Sequence, residues 1–288
     1  MTLSRTLAAL TALVLLAGAG PAAARQPDPF RVMSYNIRVD VQTDNPTWTE
    51  RRPHMAAQIA FYDPDLLGVQ EAHSAMVGYL AEHLPGYDRY GLGRDDGGPV
   101  GETTTLFWKR DRYERIRAET FWCSPTPDRP SKGWDAAYPR TVTRVLLRDR
   151  RDGRLLDVRN THFDHVGVVA REQCAELVAG LAPVEVDGAT AAVVLMGDFN
   201  TGPETAPYRR ILASGLRDAR AVSPVVFGPA GTFNAFDIAA DNEGVAIDHV
   251  FIGPGLAVAR FGVLTDSFEG RVISDHFPLV ADLVPVEP

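Results

Sequence analysis

The sequence predicts an α/β or α+β protein built on mixed β-sheets, and three observations predict it. Short runs of β-forming and apolar residues recur along the chain, separated by stretches with helical spacing. A hairpin signal interrupts this alternation, so some neighbouring strands run antiparallel. No convincing linker, repeat or low-complexity tract divides the 288 residues. Their 45% hydrophobic and 23% charged content is that of a soluble globular chain.

The elements follow in order. Residues 31–39 are rich in β-formers and read as a strand. Residues 49–62 read as a helix, with Thr49 as its cap and Pro53 tolerated in the first turn. A short buried strand over 66–69, a helix over 74–84 and a strand over 103–109 come next. Strands over 141–148 and 155–163 join across Asp152-Gly153, the hairpin signal. Helical spacing returns over 166–181, a strand over 191–196 and a helix over 206–214. Residues 247–252 and 278–283 read as late strands. Everything from Arg25 to residue 288 reads as one domain.

Met1 to Ala24 stands apart. One charge, Arg5, precedes an apolar stretch over 7–17, then Ala22-Ala23-Ala24 before Arg25. These are the basic start, apolar centre and small-residue cleavage site of a secretory signal. An uncleaved anchor is the rival, but the run is short for a span. Cleavage near Ala24 is therefore expected, with export to the periplasm or the medium. No later segment is long and apolar enough to cross a bilayer. The formal charge of −8 becomes −9 once Arg5 is removed. An acidic chain is poorly suited to non-specific binding of nucleic acid, which needs cations against phosphates. Export permits disulfides, and Cys123 and Cys174 could pair; with no sign of proximity in the sequence, two free buried thiols is the preferred reading.

The strands end in an unusual way. The apolar run 191–196 stops at Gly197-Asp198-Phe199-Asn200, Arg31–Tyr35 runs into Asn36, and Leu67–Gln70 into Glu71. Val158–Thr161 runs into His162, Ala246-Ile247 into Asp248-His249, and Val272–Ser274 into Asp275-His276. In layered sheet folds ligands sit at strand ends, so these groups could converge. Glu71, Asn36, Asp198 and Asn200 supply hard oxygen donors, an environment for Mg²⁺ or Mn²⁺ rather than a thiolate zinc site. His162 and His276, each near carboxylates, are candidates for acid–base work. Taken singly, Asn36 reads equally as a turn cap, Glu71 as a helix-terminal acid and His162 as a satisfied core histidine. Asp275-His276 is more telling, because polar groups inside an apolar run are costly unless paired. Arg140 reads either as a phosphate-forking cation or as a surface arginine. Trp134 and Tyr138 either wall a pocket or pack beneath a loop. Asp164 and His165 are candidates to line the site; His73 and His249 are not, and His54 reads as a helix-surface residue.

Six segments, "MSYNIR", "GVQE", "NTHFDHVG", "MGDFN", "IDHVFI" and "SDHFPLV", in this order resemble the motifs of the endonuclease/exonuclease/phosphatase superfamily. Its members include DNase I, apurinic endonucleases, inositol polyphosphate phosphatases and bacterial sphingomyelinases. The segment "FWCSPTPDRPSKGWDAAYPRTVTR" looks most like a bacterial branch with secreted members. The resemblance implies a DNase I-like four-layer α/β sandwich, two packed mixed sheets flanked by helices. It implies Glu71 as the main metal ligand, with Asn36 close by and Asp275 as a further metal-side carboxylate. It implies Asp198 as the group that orients or deprotonates water, Asn200 on a phosphate oxygen, and His276 on the phosphate with Asp248 as its dyad partner. His162 matches a histidine that can act as acid. Substrate contacts are expected from Arg140, Asn200, Trp134, Tyr138 and Asp164.

The expectation is a secreted, monomeric phosphoesterase that depends on Mg²⁺, with Mn²⁺ plausible. Its substrate is expected to be a phosphodiester or phosphomonoester of a small molecule, sugar or lipid head group, with no stable nucleic-acid complex and no membrane span in the mature chain. A secreted nuclease is the alternative. An inactive binding protein on the same fold is the alternative of another class, disfavoured because a dead site has no reason to keep every costly polar group.

Overall fold

The computed structural model describes residues 28–240 and 242–286. The leader expected over residues 1–24 lies outside them. The chain begins with β1 (Phe30–Asn36), α1 (Trp48–Tyr62), β2 (Leu66–Gln70), α2 (Ser74–His83), β3 (Tyr87–Tyr90), β4 (Leu106–Lys109) and β5 (Tyr113–Trp122). It continues through β6 (Thr141–Asp149), β7 (Leu155–His162), α3 (Val168–Gly180), the short pair β8 (Glu185–Val186) and β9 (Ala189–Thr190), β10 (Ala192–Asp198) and α4 (Ala206–Ala213). Then come β11 (Arg217–Asp218), α5 (Ala219–Val222), β12 (Val226–Phe227), β13 (Asp248–Ile252), β14 (Leu256–Val263), the pair β15 (Ser267–Phe268) and β16 (Arg271–Val272), and β17 (Leu279–Pro285).

Two mixed sheets form. One has the order β12-β14-β17-β1-β2-β4-β3 and the other β11-β13-β10-β7-β6-β5. Strand alternation decides what each face does. On β1, Val32 points between the sheets while Met33 and Tyr35 point out beneath α1 and α2. On β10, Val194 and Met196 point in while Val193 and Leu195 point out beneath α3 and α4. The result is the expected four layers, helices on sheet on sheet on helices. At the end of the sandwich where β1 begins, Arg112 rivets the sheets, donating to Asp65 at 3.0 Å and Asp149 at 2.8 Å.

The same alternation carries polar side chains inward at the other end of the sandwich. Asn36 and Gln70 continue the inward rows of β1 and β2; Asn160 and His162 continue that of β7; Asp198 continues that of β10. The sheets lie close there. A Cβ on Gly68 would stand 2.7 Å from Met196 Sδ and 2.9 Å from Asn160 Cγ. Gln70 donates across the gap to Asn160 Oδ1 at 2.7 Å.

Some expectations shift. β1 ends at Asn36 because Arg38 takes a left-handed backbone, φ 54°. The cap of α1 is Thr47, two residues before Thr49, since Glu50 reaches back to the Thr47 N–H at 2.8 Å; Pro53 then falls in the second turn. The sequence reading missed β3, β5 and β14, as well as the two-residue strands. β5 is an edge strand whose residues Glu114 to Arg117 are all exposed, Ile116 with its charged neighbours, so no alternation of buried and polar positions marks it.

Cys123 and Cys174 were expected as free thiols and instead form a disulfide. Cys123 follows β5 and Cys174 lies on the buried face of α3, and both belong to the core layer under that helix. Packing brings together Cα atoms 51 residues apart in sequence to 4.9 Å, a proximity no local pattern records. Cys174→Ala should cost roughly 2–4 kcal/mol of stability. Urea melts of oxidised and reduced wild type should differ by a similar amount, with the variant insensitive to reductant.

Candidate active site

Strand register builds the floor of the site. Asp198 on β10 lies level with His162 on parallel β7 and with Asp248 on antiparallel β13, so three ionisable side chains stand abreast on one sheet. Asn36 faces them from β1 on the other sheet, level with Gln70 on β2. Its amide donates to Asp198 Oδ2 at 3.0 Å and to Glu71 Oε1 at 3.0 Å. One side chain thus spans both sheets and holds both carboxylates.

The loops complete the arrangement. Glu71 (φ 64°) and Asn200 (φ 48°) sit just past β2 and β10 in left-handed conformations, which cost an ordinary side chain on the order of 1 kcal/mol or more. Tertiary bonds hold them there: the Val39 N–H donates to Glu71 Oε2 at 2.9 Å, and the Asn200 amide to Phe163 O at 3.0 Å. The Asn200 N–H donates to Asp198 Oδ1 at 2.8 Å. Arg51, fully buried under Phe236 and beside Trp48, donates to the carbonyls of Ile37, Arg38 and Val39. It fixes from behind the turn that grips Glu71. On the far side, His276 Nδ1 lies 2.9 Å from Asp248 Oδ2, which also accepts from Thr232 Oγ1 at 2.6 Å. His162 Nε2 is 3.4 Å and His276 Nε2 is 3.8 Å from Asp198 Oδ2.

The two histidines are held in opposite states. Burial disfavours charge on both. For His276 the neighbouring anions, Asp248 and then Asp198, win and hold its pKa well above the ordinary value. For His162 burial is reinforced by the cations Arg140, Arg94 and His276, and its pKa falls well below it. Asp198 is pushed up to about 7 by burial and then by Asp248. Burial opposes the charge of Glu71 too, yet the Val39 N–H, Asn36 and His276 keep it below the usual range. Asp275 is raised by burial, with Glu71 adding to the rise, and its Oδ1 is buried without a partner.

These groups line a cleft of about 580 Å³. Of the expected residues, Glu71, Asp275, Asp198, His162, His276, Asn200, Arg140 and Tyr138 reach its lining, and Asn36 and Asp248 lie buried beneath it. Arg140 is 5% exposed, which removes the surface reading; it donates to Asp164 at 3.2 Å and approaches His165 Nδ1 at 2.9 Å. Two expected substrate contacts lie outside this lining. Asp164 lies off the lining, and its carboxylate is taken up by Arg140 and by the N–H groups of Ala137, Tyr138, Val166 and Gly167; it shapes the loops instead. Trp134 stands off the lining and is 40% exposed. His165 lines the cleft, as weighed. His73, expected elsewhere, also lines it. His249 points outward beneath α4, 3.0 Å from Thr201 O, and His54 is exposed and stacks on Phe268.

The sequence reading missed Arg38, Arg94, Glu102 and Phe233 in the lining. Arg94 donates to Glu102 at 2.7 Å, and burial pushes Glu102 above the usual carboxylate range. Both lie on a glycine-rich loop where neither period 2 nor period 3.6 exists to follow.

The donors fit a hard divalent cation in kind. Glu71 and Asp275 are adjacent carboxylates, and the unpartnered Asp275 Oδ1 asks for one more positive group. Asp198, Asp248 and His276 also bring possible ligand atoms within 4.8 Å of one another. Within that group His276 Nδ1 lies 2.9 Å from Asp248 Oδ2, which also accepts from Thr232 Oγ1.

A model of the endonuclease/exonuclease/phosphatase family matches residues 33–276. The fold is similar to that of an endonuclease/exonuclease/phosphatase family protein from Bacteroides thetaiotaomicron, at 35% identity and TM-score 0.85, covering 91% of this chain and 100% of that one. It is also similar to a mannosyl-6-phosphatase from Bacteroides thetaiotaomicron, at 35% identity and TM-score 0.83, covering 88% and 99%. Nocturnin of Xenopus laevis is 26% identical over 220 residues, 67% of this chain and 53% of that protein. The chain thus spans about half the length of that curated relative.

The dyad predicts a pH signature. Asp248→Asn removes an anion beside His276 and should lower its folded pKa. A histidine with a raised folded pKa adds stability that is fully present below the ordinary 6.5 and lost as pH rises through the folded value. The stability gap between wild type and Asp248→Asn should therefore be widest below pH 6.5 and narrow above it. NMR titration of metal-free protein with paired urea melts reads both effects. A His276 resonance unmoved by the substitution would refute the pairing.

Proposed function

The chain belongs to the endonuclease/exonuclease/phosphatase family, and from that premise we propose that it is a divalent-metal-dependent phosphoesterase acting on a small molecule, a sugar or a lipid head group. The observation that carries this reading is the meeting of these groups in one cleft: the Asn36 amide holds Glu71 and Asp198 together, and His162 and His276 stand 3.4 and 3.8 Å from Asp198. The mannosyl-6-phosphatase with the same fold at 35% identity supports phosphomonoesters as the first substrates to try.

Mg²⁺, or Mn²⁺, held by Glu71 and Asp275 with Asn36 behind them, would supply charge neutralisation on the phosphoryl oxygens. The remaining work falls to the chain. His276, kept positive by Asp248, and Arg140 bear on the non-bridging oxygens, where charge builds in the transition state. The Asn200 side chain sits beside them to orient the phosphate. Asp198, with a pKa of about 7, accepts the proton of the attacking water near neutral pH. His162 rests neutral, so it first meets the substrate as a hydrogen-bonding group. The negative phosphate then raises its proton affinity and suits it to the leaving oxygen.

We also propose export. The Cys123–Cys174 bridge suits an oxidising compartment, and among the described residues no helix is long and apolar enough to cross a membrane.

Two measurements test the reading. A panel of phosphate esters with and without Mg²⁺ should show turnover abolished by EDTA and restored by the metal. Glu71→Gln keeps the shape of the side chain but removes an anionic donor, so metal affinity and turnover should fall together, turnover by roughly 10²-fold or more. Full activity in excess chelator would end the metal proposal. The second concerns substrate size. A nuclease holds several phosphates and its affinity falls steeply with salt, whereas KM for a small ester should respond weakly. Plasmid DNA should remain intact in Mg²⁺ buffer. Efficient nicking, absent in Glu71→Gln, would favour the nuclease reading instead.

A further inference from the structure

Arg94 enters the steps above only through its charge near His162, and Glu102 not at all, yet both are fixed in the wall of the cleft. Their side chains are only 11% and 15% exposed. They border it together with His162 and Arg140, and the same four residues enclose a small recess behind it. The loop that carries them is held from several directions. The Arg94 N–H bonds to Glu102 O at 3.0 Å, and the Trp122 indole donates to Arg94 O at 2.7 Å. The Arg94 guanidinium lies 4.7 Å from the centre of the Tyr138 ring.

A carboxylate is out of place in a cleft that serves only a phosphate, because it repels the anion. Arg94 does not use Glu102 up. It donates to Oε2 alone at 2.7 Å, and Oε1 accepts no hydrogen bond from the described residues. Arg94 Nε is buried, 4.0 Å from Asp95 Oδ1. The pair therefore offers the cleft a fixed acceptor, Glu102 Oε1, beside the guanidinium that lines the same wall. An alcohol needs that combination, since each hydroxyl both donates and accepts. An acyl chain or a plain aromatic ring would desolvate the pair and leave Glu102 Oε1 without a donor.

We propose that Arg94 and Glu102 form a hydroxyl-recognition subsite for the alcohol that leaves phosphate, so that the substrate is the phosphate ester of a polyhydroxylated molecule such as a sugar. This rests on the phosphoesterase reading. The pair lies beside His162, the group assigned to the leaving oxygen, which is where the alcohol portion must sit.

Steady-state kinetics with glucose 6-phosphate, its deoxy analogues and phenyl phosphate test the subsite. Wild type should prefer the hexose ester to phenyl phosphate by roughly tenfold or more in kcat/KM, and each deoxy position that meets the pair should lose a comparable factor. Glu102→Gln should raise KM for the hexose ester about tenfold, with a several-fold smaller change for phenyl phosphate. Arg94→Lys, which keeps the charge and loses the fork, should show the same split. The wild-type comparison with deoxy analogues needs no variant and so stands even if a substitution fails to fold. Equal losses on both esters, or equal rates on hexose and deoxy esters, would overturn the subsite and leave the phosphoesterase reading intact. A Mg²⁺ activation midpoint moved by Glu102→Gln would overturn it too, by placing Glu102 in the metal site. No hydrolysis of any ester by wild type would overturn the phosphoesterase reading and the subsite with it.

Discussion

The site depends on satisfying one carboxylate. Asp198 has 1% of its surface exposed, and a buried anion without partners costs several kcal/mol. Its partners come from every side. Asn36 reaches it from the opposite sheet, the Asn200 N–H from the loop it leads into, and the two imidazoles from its flanks. Asn36 is the only one of these that comes from the β1 sheet, and it holds Glu71 with the same amide. The distance between the two sheets at this end therefore also sets the distance between Asp198 and Glu71, the carboxylates proposed to act on water and on the metal. Gly68 permits that approach by having no side chain to place against Met196 and Asn160.

The polar residues at the strand ends and the apolar residues of the core are consequences of one periodicity. A row that is Val194, Met196, Asp198 places its last member where the first two already point. A one-residue slip of β10 would expose Asp198 to the helix layer and bury Leu195 between the sheets. The long apolar rows between the sheets pin that register, so the core sets the geometry of the site as well as the stability. The left-handed residues Glu71 and Asn200 mark where the rows stop and the loops begin. Their backbone cost is tolerated because Val39, Phe163 and the Arg51-clamped turn determine their positions.

This explains which parts of the molecule were legible. The inner strands and the residues at their ends could be read, because burial on both faces writes a continuous apolar run and the intrusion of Asn36, Asp198 or Asp275-His276 stands out against it. The floor of the site followed from that reading. The wall did not. Arg94 and Glu102 lie in a loop bonded across Gly93 and Gly98, where conformation comes from turns and not from a period. Asp164 was legible as a polar residue near the site, but its role in gathering the backbone N–H groups of the loops depends on tertiary geometry. The disulfide was hidden for a related reason: β5 is an exposed edge strand with little pattern, so nothing marked where its end would meet α3.

Charge shows the same division between global and local description. The formal charge of −8 argued against polyanion binding over the surface. The cleft departs from that average. Glu71, Glu102, Asp198 and Asp275 line it against Arg38, Arg94, Arg140 and a protonated His276. Each acid has a cation near it, Arg38 standing 3.7 Å from Asp275 and Arg94 2.7 Å from Glu102. A near-balanced, mostly buried set of charges neither attracts nor repels an anion strongly from a distance. It discriminates on contact, by where each donor and acceptor is placed. Such a cleft is suited to a small polar phosphate ester that can match the pattern group by group, and poorly suited to a polymer gathered by long-range attraction.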